Sequence, residues 1–199
     1  MGVPVVMGEG AKRGDNKFVL QEAKDGEKVS LGSVKLQIIH TPGHTLESSC
    51  FLLFDANQVP IAMFTGDTVL IGEIGHPDLA GNPSISKHDL AGMLYESLQK
   101  LKGYDDDIRV YPAHETSHSC GKAIGGGGNY CTLGQQKADN HGFQQENKEK
   151  FIAEAAINPA PSKYFFYDSF LNQQGPPDYT EVAKRVHVPL SVEEYKVLA

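Results

Sequence analysis

The sequence predicts a layered α/β or α+β domain. Three observations predict it. Short runs rich in β-branched and aromatic residues fill the first third of the chain (Val34–Ile39, Ser49–Phe54, Ile61–Phe64). A helical repeat of leucines follows at Leu90, Leu94, Leu98 and Leu101, and then another strand-like run at Ile108–Tyr111. Beyond the glycine run Gly125–Gly128 the chain turns helix-prone.

In order along the chain, Val3–Met7 reads as a strand and Asp25-Gly-Glu27 as a turn. Val34, Leu36 and Ile38 alternate with Lys35, Gln37 and Ile39, the pattern of a half-buried strand. Ser49–Phe54 and Ile61–Phe64 are two more strands, joined by the polar turn Asp55-Ala-Asn-Gln58. Ser86-Lys-His-Asp89 has the form of a capping box, with Asp where Glu or Gln is usual. The leucine helix therefore starts there, and it ends near Gly103. Helices are expected near Leu133–Asn140 and Asn147–Ala156, and Ser191-Val-Glu-Glu194 caps a short last one. There is no internal repeat and no interdomain linker. Residues 1–199 read as one domain, with a core over about 3–158 and a C-terminal helical extension over about 159–199.

Composition narrows the function. A net charge of −7 argues against a nucleic-acid binder, which carries a basic patch. No apolar run approaches the ~20 residues that span a membrane. Cys50, Cys120 and Cys131 are an odd set without a CxxC pair, so a disulfide framework is not expected. A reducing compartment, mitochondrial matrix or cytoplasm, is the expectation.

Three motifs carry the chemistry: Thr41-Pro-Gly-His44, Thr65-Gly-Asp67 and Tyr111-Pro-Ala-His114. Each follows a strand-like run and ends in a side chain that can ligate a metal. In the first, Pro removes a backbone donor and Gly allows a positive φ, so the chain leaves the strand sharply and presents His44. Thr65-Gly-Asp67 repeats the device with a hard oxygen ligand. A carboxylate beside two imidazoles suits iron or zinc. One such histidine is as often a plain polar loop tip; three strand ends of this kind in one chain favour a site.

Other candidates rank lower. His40 sits within a strand end and reads as structural. His88 falls in the first turn of the leucine helix and faces solvent. His118 is a weak further ligand, and His141 and His187 have no ligand-like neighbours. His114-Glu-Thr-Ser-His118 matches H-E-x-x-H in form, but that motif needs a helix, and this one follows a strand and Pro112 and precedes Ser119-Cys-Gly121. Gly125–Gly128 lacks the Lys-Ser/Thr of a P-loop and reads as a loop near the site. Tyr164-Phe-Phe-Tyr167 reads as a buried anchor, Cys120 as a small buried hydrophobe, and Asp105–Asp107 as a solvated turn.

The stretches LQIIHTPGHT (Leu36–Thr45), FTGDTVLIGEIGHPDLAG (Phe64–Gly81) and RVYPAHETSHSCGKAIG (Arg109–Gly125) together resemble the metallo-β-lactamase superfamily. Within it they are most similar to the persulfide dioxygenases and to the related glutathione-thioester hydrolases of the glyoxalase II type. The likeness extends roughly from Val3 to Tyr179 and includes Leu171-Asn-Gln-Gln-Gly-Pro176. Gly66–Gly72 with Pro77-Asp78-Leu79, and Ser119-Cys-Gly121, favour the dioxygenase branch. The resemblance implies an αββα sandwich, two sheets face to face with helices outside, and a metal site at one edge.

Carried over residue by residue, the resemblance makes His44 and Asp67 metal ligands. It makes His114 the last metal histidine, which dioxygenases do not need as a direct iron ligand. It places His76, where an Arg is common, at the substrate's thiol carrier. No residue is singled out as catalytic. The His-x-His-x-Asp-His loop that lies upstream in the family has no counterpart in residues 1–43, so the domain reads as N-terminally truncated. The cofactor implied is iron(II) or zinc, expected to be sub-stoichiometric or absent in this polypeptide alone. The partner is a glutathione-linked small molecule, and a partner chain or a second copy could complete the site. Three functions follow: oxidation of glutathione persulfide to sulfite, hydrolysis of a glutathione thioester, or a degenerate non-catalytic subunit of a larger assembly.

Overall fold

The computed structural model describes residues 3–11, 17–77, 85–114 and 130–157, together with 180, 184, 191, 192 and 196. Several expectations fall outside these residues. They are Asp78-Leu79, the His118 and Cys120 segment, Gly125–Gly128, Tyr164–Tyr167, Leu171–Pro176, His187 and the C-terminal extension apart from five single positions.

The main body is a six-stranded sheet. In chain order its strands are β3 (Lys28–Leu31), β4 (Val34–His40), β5 (Ser49–Phe54), β6 (Pro60–Gly66), β9 (Arg109–Pro112) and β10 (Cys131–Thr132). In space the order is β10-β9-β6-β5-β4-β3, with β6 and β9 parallel and every other pair antiparallel. Two small sheets join it: β1 (Val5–Gly8) beside β2 (Leu20–Ala23), and the hairpin β7 (Val69–Leu70) with β8 (Glu73–Ile74). The helices are α1 (Lys87–Lys102), α2 (Leu133–Asp139), α3 (His141–Gln144) and α4 (Lys148–Ala155). This is the mixed α/β architecture expected, with the four-layer sandwich represented in part.

Alternation of side chains across the pleat builds the core. Leu52, Met63, Val110 and Cys131 stand opposite one another across four strands and point to one face. There they meet Leu94, Leu98 and Leu101 of α1, with Ile108, Leu133, Phe143 and Phe151. Each leucine fully buried this way contributes about 1.5–3 kcal/mol. α1 begins at Ser86 with both halves of the capping box in place, Asp89 making the return bond to the Ser86 N–H. On the other face Phe64 stacks on Tyr111 at 5.6 Å, and Tyr111 lies 5.4 Å from Tyr130.

The half-buried reading of β4 needs correction at one end. Ile38 and Ile39 point to opposite faces, yet both are buried, so this end of the strand is covered on both sides. Alternation held only where Lys35 and Gln37 keep one face polar. The short strands β2, β3, β7, β8 and β10 and the single-turn helix α3 went unseen in the sequence, whereas α2 and α4 lie where helices were expected.

Candidate metal centre

Sheet direction brings the three motifs together. β6 and β9 are parallel neighbours, and β4 is antiparallel to β5, which is antiparallel to β6. The C-terminal ends of β4, β6 and β9 therefore share one edge of the sheet, and His44, Asp67 and His114 follow those ends. Asp67 lies between the two imidazoles. Its Oδ2 is 3.6 Å from His44 Nε2 and its Oδ1 is 3.2 Å from His114 Nε2.

The His44 loop is built from several ties. Thr41 N–H donates to the Ser48 carbonyl at 2.9 Å, closing the turn. Ser97 of α1 donates its hydroxyl to the Pro42 carbonyl at 2.8 Å. Gly43 has a φ of +142°, and a Cβ there would stand 2.4 Å from Leu94 Cα. Only glycine lets this turn press onto the α1 backbone. The Thr41 and Thr68 hydroxyls meet at 3.0 Å and join the His44 loop to the Asp67 loop. Beneath them Cys50 is fully buried, and burial pushes its thiol up to about 11 despite the neighbouring Thr41 and Thr68 hydroxyls. This cysteine is an inert thiol, and a structural one.

The second nitrogen of His44 decides what the first can do. Nδ1 lies 2.9 Å from the His76 carbonyl oxygen. A carbonyl only accepts, so Nδ1 carries the proton, and in the neutral ring Nε2 presents a lone pair. That lone pair faces a carboxylate oxygen at 3.6 Å, acceptor against acceptor and too far for a hydrogen bond. Asp67 Oδ1 is itself buried and accepts no hydrogen bond among the described residues. A carboxylate with one buried, non-hydrogen-bonded oxygen against one imidazole and its other oxygen against a second is the donor chemistry of a divalent cation. Two ligands each ~2.1 Å from one ion stand about 3.0–3.4 Å apart, close to the separations found here. The residues fit an iron or zinc ion as part of its ligand set. Among the described residues no three His, Cys, Asp or Glu side chains close on a single point, and Asp67 turns one oxygen to each ring.

His76 stands elsewhere than its side chain alone suggests. Its carbonyl serves His44, while its exposed imidazole lies at the rim of a cavity of about 240 Å³. Ile74, Pro77, Phe151 and Ala155 give that cavity an apolar wall, and His141 and Glu154 stand at its mouth. His141 does have a carboxylate neighbour, contrary to expectation: its Nε2 is 3.1 Å from Glu154 Oε2. His40 is structural as expected, its ring against the Leu46 carbonyl at 2.8 Å, and His88 is exposed.

Two further residues escaped the sequence reading. Gln136 and Asn140 are completely buried. Asn140 Nδ2 donates to the Glu73 carbonyl at 2.8 Å and to Gln136 Oε1 at 2.6 Å, and Gly72 N–H donates to Gln136 Oε1 at 3.3 Å. They fasten the β7–β8 hairpin, which leads to His76, onto the helices. The only signal in the sequence was a Gln and an Asn four apart in an expected helix.

The metallo-β-lactamase superfamily model matches residues 4–114, more than half of the chain, and the chain belongs to that superfamily. An uncharacterised protein of Mycobacterium tuberculosis is 40% identical over 106 residues, 53% of this chain and 45% of that protein. The hydroxyacylglutathione hydrolase of Hydrogenovibrio crunogenus is 35% identical over 123 residues, 60% of this chain and 40% of that enzyme. The chain thus spans less than half the length of these curated relatives. A metallo-β-lactamase from Staphylococcus aureus superposes with a TM-score of 0.70 at 32% identity, over 82% of this chain and 48% of that one. ETHE1 from Myxococcus xanthus superposes at 0.63 with 22% identity, over 85% of this chain and 64% of that one, a likeness of fold alone.

Proposed function

We infer that this chain carries part of a metal-dependent active site that converts a glutathione-linked sulfur substrate, with oxidation of a persulfide to sulfite as the reaction. The observation that carries the reading is the Asp67 carboxylate set between two imidazoles, Oδ2 at 3.6 Å from His44 Nε2 and the buried Oδ1 at 3.2 Å from His114 Nε2, with His44 Nδ1 held by the His76 carbonyl. When bound, iron(II) supplies the affinity for sulfur and O₂ that persulfide oxidation needs, and zinc supplies an acidified water and a polarised thioester carbonyl. His44 and Asp67 would hold the cation, the Asp67 carboxylate offsetting part of its charge. The cavity walled by Ile74, Pro77 and Phe151 shares the Gly72–Pro77 strip with the His44 contact, and the His76 imidazole at its rim would meet the thiol carrier in place of the common Arg. The overall reaction joins persulfide, O₂ and water to give glutathione, sulfite and protons. Further ligands would come from a partner chain or a second copy. A reducing compartment, mitochondrial matrix or cytoplasm, belongs to the same reading; the free, buried thiols of Cys50 and Cys131 support it.

A second reading has its own support. Asp67 offers one oxygen to each imidazole, the attitude of a carboxylate shared by two metals, and hydroxyacylglutathione hydrolases are among the relatives. Here water cleaves the C–S bond of a glutathione thioester to a carboxylate and a thiol.

The test is direct. The purified chain, loaded with iron(II) or zinc, is given glutathione persulfide under O₂, or lactoyl-glutathione. Sulfite formation that depends on His44 and Asp67 supports the first reading, and thioester loss that depends on His114 as well supports the second. Metal binding unchanged by His44→Ala and Asp67→Ala, with neither reaction, would leave the structural-subunit function.

A further inference from the structure

Between the β7–β8 hairpin and the cavity, the strip Gly72–Pro77 passes directly behind both candidate ligands. Gly75 is the point of contact. A Cβ at this position would stand 2.0 Å from the Asp67 carbonyl oxygen and 2.9 and 3.0 Å from Nδ1 and Cγ of His44. All three nearest neighbours therefore belong to the two ligand residues. The φ of Gly75 is not in the left-handed region, so space rather than backbone conformation demands glycine here.

Neither neighbour can retreat freely. The Asp67 carbonyl is backbone, in a loop latched to the next by the Thr41–Thr68 hydroxyl pair. The His44 loop is pressed against α1 at Gly43. The strip itself is fixed from its far side, where Asn140 holds the Glu73 and Leu70 carbonyls and Gln136 holds the Gly72 N–H. One residue beyond Gly75, the His76 carbonyl accepts the His44 Nδ1 proton.

We propose that Gly75 is a positioning residue of the metal centre: its missing side chain sets the gap between His44 and Asp67 and lets the next carbonyl hold His44 in the Nδ1–H tautomer. The proposal rests on the metal-centre reading above. Holding the tautomer leaves Nε2 free to donate its lone pair, the task that carbonyls behind metal-ligating histidines perform. A methyl group at residue 75 tilts the ring, lengthens the Nδ1 contact and moves Nε2 away from Asp67.

The experiment uses the full 199-residue chain as wild type, Gly75→Ala and His44→Ala. Cobalt(II) binding is titrated by absorption, and the His44 tautomer is read by ¹⁵N NMR without metal at about pH 8, where an ordinary imidazole is neutral. Wild type is expected to show the Nδ1–H form. Gly75→Ala should bind cobalt on the order of 10- to 100-fold more weakly and show mixed tautomers. A folded Gly75→Ala protein with wild-type cobalt binding and a pure Nδ1–H signal overturns the proposal. So does a wild-type His44 in the Nε2–H form, a result that stands even if the variant does not fold. If His44→Ala binds cobalt as tightly as wild type, the metal-centre reading fails instead, and the tautomer result alone judges Gly75.

Discussion

His44 and His114 approach the same carboxylate from two differently built ends of the sheet. The His44 side chain is 14% exposed, and its loop is tied to α1, to the Asp67 loop and, through Nδ1, to the His76 carbonyl. The His114 side chain is 62% exposed, and the described backbone tie beside it is Ala113 N–H to the Gly66 carbonyl at 3.0 Å. A ligand fixed before the ion arrives loses little conformational freedom on binding, whereas an exposed one gives up about 0.5–1.5 kcal/mol when it is immobilised. On the proposed metal-centre reading, the fold therefore sets one imidazole in advance and leaves the other to be ordered by the ion.

The largest effect that could break this comparison is loss of the ligands themselves. His44→Ala should lower cobalt(II) affinity at least ~100-fold, while His114→Ala should cost about tenfold less than that; titration of both variants checks it. Equal losses would show that the two ends are equivalent. Next comes the seat of the His44 loop. Gly43→Ala forces a methyl into the α1 backbone at a φ that L-residues avoid, and about 2–3 kcal/mol of stability should be lost in urea unfolding, with metal affinity falling in parallel. Ser97→Ala is milder. It orphans the Pro42 carbonyl, so about 1 kcal/mol of stability should go, and the loss of metal affinity should be felt through His44 and not through His114.

The smallest effect lies behind the His44 strand. Burial works against the charge of Asp25, but the Lys100 ammonium at 2.7 Å and the His40 N–H at 2.8 Å outweigh it and hold the carboxyl below its ordinary value. A carboxyl lowered by folding stabilises the folded chain above its unfolded value, about pH 4, and the contribution fades as the pH falls through the folded value. Asp25→Asn should therefore lower Tm slightly at pH 7, and the difference should shrink as the pH falls below about 4. Both partners are substantially exposed, so salt should screen the difference.

Local signals were readable in the chain and cooperative ones were not. The strand ends at Thr41, Thr65 and Tyr111, the Ser86 cap and the leucine stripe each declare themselves within a few residues, and each lies where expected. That His44, Asp67 and His114 meet depends on strand direction, which the motifs hint at without fixing. Lys28–Leu31 alternates apolar with polar but is a four-residue edge strand, mostly exposed, and so gives little pattern to read. Gln136 and Asn140 look like surface residues because polarity is the only property the sequence shows; their burial is visible only once the hairpin carbonyls they serve are placed. The part of His76 that acts on His44 is a main-chain carbonyl, which every residue has. Gly75 carries no sign at all of the two ligands resting against it.

The parallel pairing of β6 with β9 has a consequence for assembly. Antiparallel β4, β5 and β6 can zip up through short turns, bringing Thr41 against Thr68 early. The β6–β9 register, Ala62 opposite Arg109, requires the whole α1 crossover to close first. His114 is delivered by that closure. If these side chains hold an ion, its capture would double as a timing signal: His44 and Asp67 would be in place before His114, whose arrival would report that the slow, long-range step of folding is complete.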